Sequence, residues 1–291
     1  MPVYDQSYRH WQGQIKARSA RCVPIAIEGI RLHLKSKPSP FLNVLTRVMY
    51  VLSQMPFLFF LVSIYVVRTK LLGDLATVFD PSKPQYYPQV LLAETIWVLL
   101  FTVFIGSGLI ARDLSANAIE GYLAKPLTVF DYVLGKFLVM AFFLACVTLF
   151  PCLILWLADW LLASEAGYLG KVLPQLSRIV IYCSLTIAVC SLTILAVSSL
   201  TKNAKNAALL WIGGNMVLTF LGQMLSRILE RPELELISPV RAALNFGGKL
   251  FDLEIEVGAS LTLCGLALLV YIASSAAILY GRVRAVAMRR E

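Results

Sequence analysis

The sequence predicts an all-α membrane protein with six transmembrane helices. Six stretches, at 48–67, 95–111, 137–158, 179–201, 206–226 and 257–281, contain no Asp, Glu, Lys or Arg. The shortest has 17 residues and the others 20 to 25; at ~1.5 Å of rise per residue each is long enough to cross a hydrocarbon core of ~30 Å. Only 15% of the 291 residues are charged and 58% are hydrophobic, whereas about 25% are charged in a typical soluble domain. Lipid offers a backbone no hydrogen bonds, so each stretch must satisfy its own polar groups as a helix. Little chain remains beyond the spans, and it divides into a segment at 1–40 and a six-span domain at 41–291, with no separate soluble domain.

The elements follow in order. Residues 1–22 are polar and aromatic, with Tyr4, Tyr8 and Trp11 among Arg9, Lys16, Arg18 and Arg21. Over 24–37, Ile27, Ile30 and Leu34 share one helical face, and Glu28, Arg31 and Lys35 another. This reads as a basic amphipathic interface helix lying in the headgroup layer, or alternatively as a solvated helix docked on a partner. Pro24 suits its first turn, and Pro38 and Pro40 end it. The first span contains Gln54, and the loop at 68–87 reads as irregular. Glu94 is placed just before the second span, which contains Gly106, Ser107 and Gly108.

In the next connection Asp113 is expected to cap a short helix over 114–123 that Pro126 stops. Ile119, Tyr122 and Leu123 then form an apolar patch among Arg112, Glu120 and Lys125, suited to a partner's groove; a plain helical hairpin is the alternative. Thr128 and Asp131 match a capping box that opens the third span. Asp159 follows that span. In the fifth span, Gly213, Gly214 and Asn215 permit close helix approach, either as packing or as a pathway or dimer contact. The loop at 227–256 holds Glu230, Glu233, Glu235, Asp252, Glu254 and Glu256 around an apolar middle, and is expected to fold back as short helices. Its acids are too scattered, and too far from any His or Cys, for a metal site.

Charge sets orientation. With the N-terminus cytoplasmic, 17 of the 26 Lys and Arg fall on the cytoplasmic side, as the positive-inside rule requires. The net charge of +9 is therefore an orientation signal, not a nucleic-acid one. The first apolar run starts too late for a secretory signal peptide. No cysteine lies in an outer loop, so no disulfide framework is implied.

Absences narrow the chemistry. The only histidines, His10 and His33, lie outside the spans, which argues against a His-based intramembrane hydrolase or zinc protease. Spans without ionisable residues argue against proton coupling. Gly135-Lys136 and Gly248-Lys249 lack the glycine five residues earlier, where Phe130 and Ala243 stand. No phosphate-binding loop exists, so the chain itself is expected to bind no ATP and to be no enzyme.

Leu123, Pro126, Leu127, Thr128, Tyr132, Gly135 and Lys136, with the six-span layout around them, resemble the membrane subunits of type-2 ABC exporters. The resemblance implies a permease dimer that forms the substrate pathway, with second and fifth spans facing each other. It also implies a separate ATP-binding-cassette ATPase subunit that holds ATP and Mg, while this chain carries no cofactor. Arg112, Asp113, Leu114, Asn117, Ile119, Glu120, Tyr122, Leu123 and Lys125 correspond to a cytoplasmic coupling helix at the ATPase-subunit interface. Ile27, Ile30, Arg31 and Leu34 correspond to an ATPase or membrane interface. Gly106, Ser107, Gly213, Gly214 and Asn215 become pathway or dimer contacts. Partners so implied are the ATPase, a second identical or related permease, the bilayer and a periplasmic or envelope accessory protein. The location is the bacterial cytoplasmic (inner) membrane, with both termini cytoplasmic. A non-transporting anchor or mechanotransmitter of an ATPase-driven envelope complex is the alternative.

The topology is testable with an impermeant thiol reagent on intact cells: Ala285→Cys should resist labelling and Glu233→Cys should react. The reverse pattern would invert the orientation.

Overall fold

A computed structural model describes residues 21–34, 40–69, 81, 83, 85–123, 127–163, 168–252 and 259–288, which form helices and no strands. Residues 1–20, with Tyr4, Tyr8 and Trp11, lie outside the described residues, as do most of the loop at 70–84 and Glu254 and Glu256. The helices are α1 (Cys22–Leu34), α2 (Pro40–Ser53), α3 (Met55–Arg68), α4 (Tyr86–Ser115), α5 (Ala118–Leu123), α6 (Val129–Val147), α7 (Leu149–Leu162), α8 (Tyr168–Leu200), α9 (Ala204–Ile228), α10 (Pro239–Leu250) and α11 (Leu261–Met288), with a 3-10 turn at Pro232–Ile237. Six helical units are long and apolar enough to cross a membrane: Thr46–Arg68, Tyr86–Ser115, Val129–Leu162, Val172–Leu200, Ala204–Ile228 and Leu261–Val286. Two of them are jointed. Pro56 cannot bond back to Leu52 and Pro151 cannot bond back to Val147, so the first and third spans break at Gln54 and Thr148.

The spans outrun their charge-free cores. A helix tolerates a charge near its end when a neighbour pairs it, and Arg68 and Asp159 do so at 2.6 Å, joining α3 to α7. The Tyr168 hydroxyl donates to the other Asp159 oxygen at 3.1 Å, and the Arg68 guanidinium lies 4.6 Å from the Tyr168 ring centre. Three spans are thereby tied at one end of the bundle. The second span also needs correction. Because α4 begins at Tyr86, Glu94 lies inside it, and it is only 1% exposed. The expectation of spans free of ionisable groups fails there.

Helix α8 is the centre of the bundle, packing on α4, α6, α7, α9, α10 and α11. Its close contact with α4 requires Gly106: a Cβ there would stand 2.6 Å from the Ile194 methyl. One turn further the Ser198 hydroxyl donates to the Ser107 carbonyl at 2.8 Å and accepts from the Ala111 amide at 3.0 Å. It thus spans the two ends of one helical rung of α4. The segment between the fifth and sixth spans folds back as short helices: α10 buries Ala242, Ala243, Phe246 and Gly247 among the spans.

Helix α1 also packs on the bundle through a face that the sequence reading does not single out. Ile25 meets Gly135, Gly29 meets Val139 and His33 meets Phe143. This constant offset, at every fourth residue, means that α1 runs alongside α6 in the same direction rather than across it. The buried seam is Cys22, Ile25 and Ala26 with Gly29, where small residues allow close approach. Ile27 and Leu34 are exposed, Ile30 packs partly against the core, and Arg31 is exposed.

Removing one partner of a buried pair strands the other charge, at about 3–5 kcal/mol when burial is complete. Asp159→Ala and Arg68→Met should therefore each lower the thermal midpoint in detergent, since each leaves the other charge with Tyr168 as its remaining partner in the cluster. Small shifts in both would show that the cluster contributes little.

Candidate functional site

The connection between α4 and α6 is built around one carboxylate. Asp113 lies in the last turn of α4, not at the cap of a new helix, because α4 continues through Ser115. Its Oδ2 accepts from the Tyr132 hydroxyl at 2.8 Å and pairs with Lys136 Nζ at 2.7 Å. The Lys136 side chain is 8% exposed, so Asp113 supplies the counter-charge of a nearly buried cation. Lys136 Nζ also lies 5.6 Å from the Tyr132 ring centre and 5.8 Å from that of Tyr122. The two rings are 5.5 Å apart. Burial, and then the charges of Asp113 and Glu28, raise the Tyr122 phenol above its ordinary range, so it stays neutral at physiological pH.

Between Asp113 and Tyr122 the chain turns sharply. Asn117 takes φ 50, a left-handed conformation that an Asn side chain tolerates, and α5 follows. Thr128 then opens α6 with the predicted capping box: its hydroxyl accepts from the Asp131 amide at 3.2 Å, and its amide donates to the Asp131 carboxylate at 2.9 Å. The third span therefore starts at a fixed residue, three short of the aspartate and eight short of Lys136.

The direction of the apolar face is corrected. Ile119 is 1% exposed and packs in one cluster with Leu279 and Val283 of α11, and Tyr122 packs partly against the same cluster. An apolar helix face is covered wherever an apolar neighbour is nearest, and here the chain's own last span provides it. The outward surface is Arg112, Ser115, Ala116, Asn117 and Gly121, with Leu114 half-buried. Arg112 folds back over Gly108, where a Cβ would lie 2.8 Å from Nε. Lys125 lies outside the described residues, as do the side chains of Glu120 and Leu123.

The other predicted contacts separate. Gly106 and Ser107 are buried between α4 and α8, where they serve packing inside the chain. Gly213 and Gly214 face open space. Helix α9 has only 11% of its span buried and displays Leu209, Met216, Val217 and Phe220. Asn215 points to a cavity between α4, α8, α9 and α10 that also contains Glu94.

The family model described as ABC-2 family transporter protein matches residues 41–280, which take in five of the six spans whole and most of the sixth, with α5 and the Asp113–Lys136 pair. The chain belongs to this ABC-2 transporter family. It is a multi-pass membrane protein and a permease subunit, and membership implies an ATPase partner in general. No curated protein matches the chain. For an ABC-2 permease, the tethered α5 is notable because it is held by three spans at once: α4 by covalent continuity, α6 through Lys136 and Tyr132, and α11 through Ile119. Sequence spacing did not expose that tether, because the partners of Asp113 lie a whole connection away.

Asp113→Ala should strand Lys136 and destabilise the junction by up to about 3 kcal/mol, since some solvent still reaches the pair. Hydrogen exchange in 118–123 should accelerate while the α8 core stays protected. Exchange unchanged in both regions would remove Asp113 as the anchor of α5.

Proposed function

We propose that this chain is the permease subunit of an ATP-driven exporter, and that it works as a homodimer coupled to a separate ATPase through the α4–α5 turn. Family membership over 41–280 supports the permease role. The observation that carries the coupling role is the Asp113–Lys136 tether. A short helix fixed to three spans moves as one piece with them, so a force on its outer surface displaces the spans and not merely a loop. Arg112, Asn117 and Gly121 are the contact surface in this reading, with exposed Arg31, Ile27 and Leu34 of α1 as a second contact to the ATPase or the lipid surface. ATP binding and hydrolysis occur in the partner, where Mg accompanies the nucleotide. The coupling is a population shift: closure of the paired ATPases favours one arrangement of the spans by the difference in contact energy between the two states. The orientation follows the charge distribution, with α1, α5 and the end of α11 in the cytoplasm and the membrane being a bacterial inner membrane. The exposed apolar face of α9 supports dimerisation, since its side chains leave room for a second copy.

Gly121 offers a clean test, because a side chain added there would meet nothing within 4 Å in its own chain. Gly121→Trp should leave insertion, folding and the Asp113 tether intact. It should weaken copurification of the ATPase about tenfold or more, equivalent to about 1.4 kcal/mol, or abolish substrate-stimulated hydrolysis. Wild-type association and stimulation in this variant would show that α5 does not face the partner.

A further inference from the structure

Glu94 is an acid whose burial the packing of the described residues does not explain. It lies in α4, ~12 Å in from the helix start at Tyr86, is 1% exposed, and neither carboxylate oxygen has a hydrogen-bond partner among the described residues. An isolated carboxylate in a low-dielectric interior is costly, and intramembrane carboxylates mark ligand or ion pathways when no structural partner accounts for them. A second unsatisfied acceptor lines the same cavity. Asn215 donates its amide to the Trp211 carbonyl at 2.8 Å, leaving its Oδ1 buried without a donor. Glu94 and Asn215 thus give the cavity acceptors that no group among the described residues satisfies.

The remaining walls are apolar or weakly polar. Leu91, Val98, Val189 and Ala243 contribute aliphatic surface, while Tyr182 and Trp211 contribute aromatic surface. The nearby hydroxyls of Thr95 and Thr193 already donate to backbone carbonyls of their own helices. The cavity volume is about 40 Å³, enough for more than one water-sized group and so for an ammonium head, but not for a bulky one. Among the described residues no cluster of metal-ligating side chains occurs, and two acceptors among aliphatic walls are poor ligands for a hard metal cation, which takes six or more oxygens.

We propose that Glu94 and Asn215 form a binding site for the ammonium group of an apolar amine, with the carboxylate supplying charge and the amide oxygen a second acceptor, while the hydrocarbon body lies outside a cavity that has room for the head alone. The site is an inference about binding. That such an amine is the transported cargo rests on the permease function proposed above, and loss of ATPase coupling would leave the binding result standing.

The test uses the full chain in phosphatidylcholine nanodiscs. Two fluorescent probes are titrated by anisotropy: dansylcadaverine, a primary ammonium on an apolar body, and N-hexyl dansylamide, of similar size and uncharged. The expected result is saturable binding of dansylcadaverine, about tenfold or more tighter than the neutral probe, with Glu94→Gln removing that preference and Asn215→Leu reducing it. Equal affinity of the two probes for the wild-type chain would overturn the proposal, since the cavity would then be merely apolar, with Glu94 carrying a proton. An unchanged preference in Glu94→Gln would overturn it as well. If Glu94→Gln does not fold, the wild-type comparison of the two probes decides alone.

Discussion

The Asp113–Lys136 ion pair is the constraint on which the rest of the junction depends. Without it a lysine would be buried with no counter-charge, and the end of α4 would lose its one ionic tie to α6 among the described residues. With it, the ends of the second and third spans are locked to each other. Tyr132 shares the carboxylate and Tyr122 packs at a tilt against Tyr132, so the short helix inherits that rigidity. Ile119 completes the arrangement by docking on the last span.

Helix α4 links this junction to the remainder of the bundle. Asp113 sits at one end, Gly106 and the Ser198 hydroxyl press on its middle, and Glu94 opens into the cavity toward the other. Roughly 28 Å of continuous helix separates Glu94 from Asp113. In the proposed mechanism a shift of α5 by the ATPase therefore reaches the cavity through a single rigid element, with α8 as the surface it moves against. Helix α9, which carries Asn215 and is the least buried span, is the wall freest to respond.

The spans and the capping box were legible in the sequence because both are local: a charge-free run reports burial in lipid, and Thr128 with Asp131 reports a helix start within four residues. What was missed depends on distant partners. Glu94 was placed outside its span because a charge-free window ends at the first carboxylate, whether or not the helix does. Asp113 reads as a cap in the sequence because Lys136, its partner, lies in the next helix. The intramolecular packing face of α1 has no strong sequence signal because Cys22, Ala26 and Gly29 pack by allowing close approach, while the more apolar Ile27 and Leu34 face outward. For the same reason the apolar face of α5 gave no indication of whether its own chain or a partner covers it.

A cryo-electron microscopy structure of the chain with its ATPase subunit tests the coupling claim most directly. The account predicts that Arg112, Asn117 and Gly121 lie within about 4 Å of the ATPase, with the Asp113–Lys136 pair intact behind them. An α5 exposed to solvent in the assembled complex, with the ATPase held only by other segments, would contradict it.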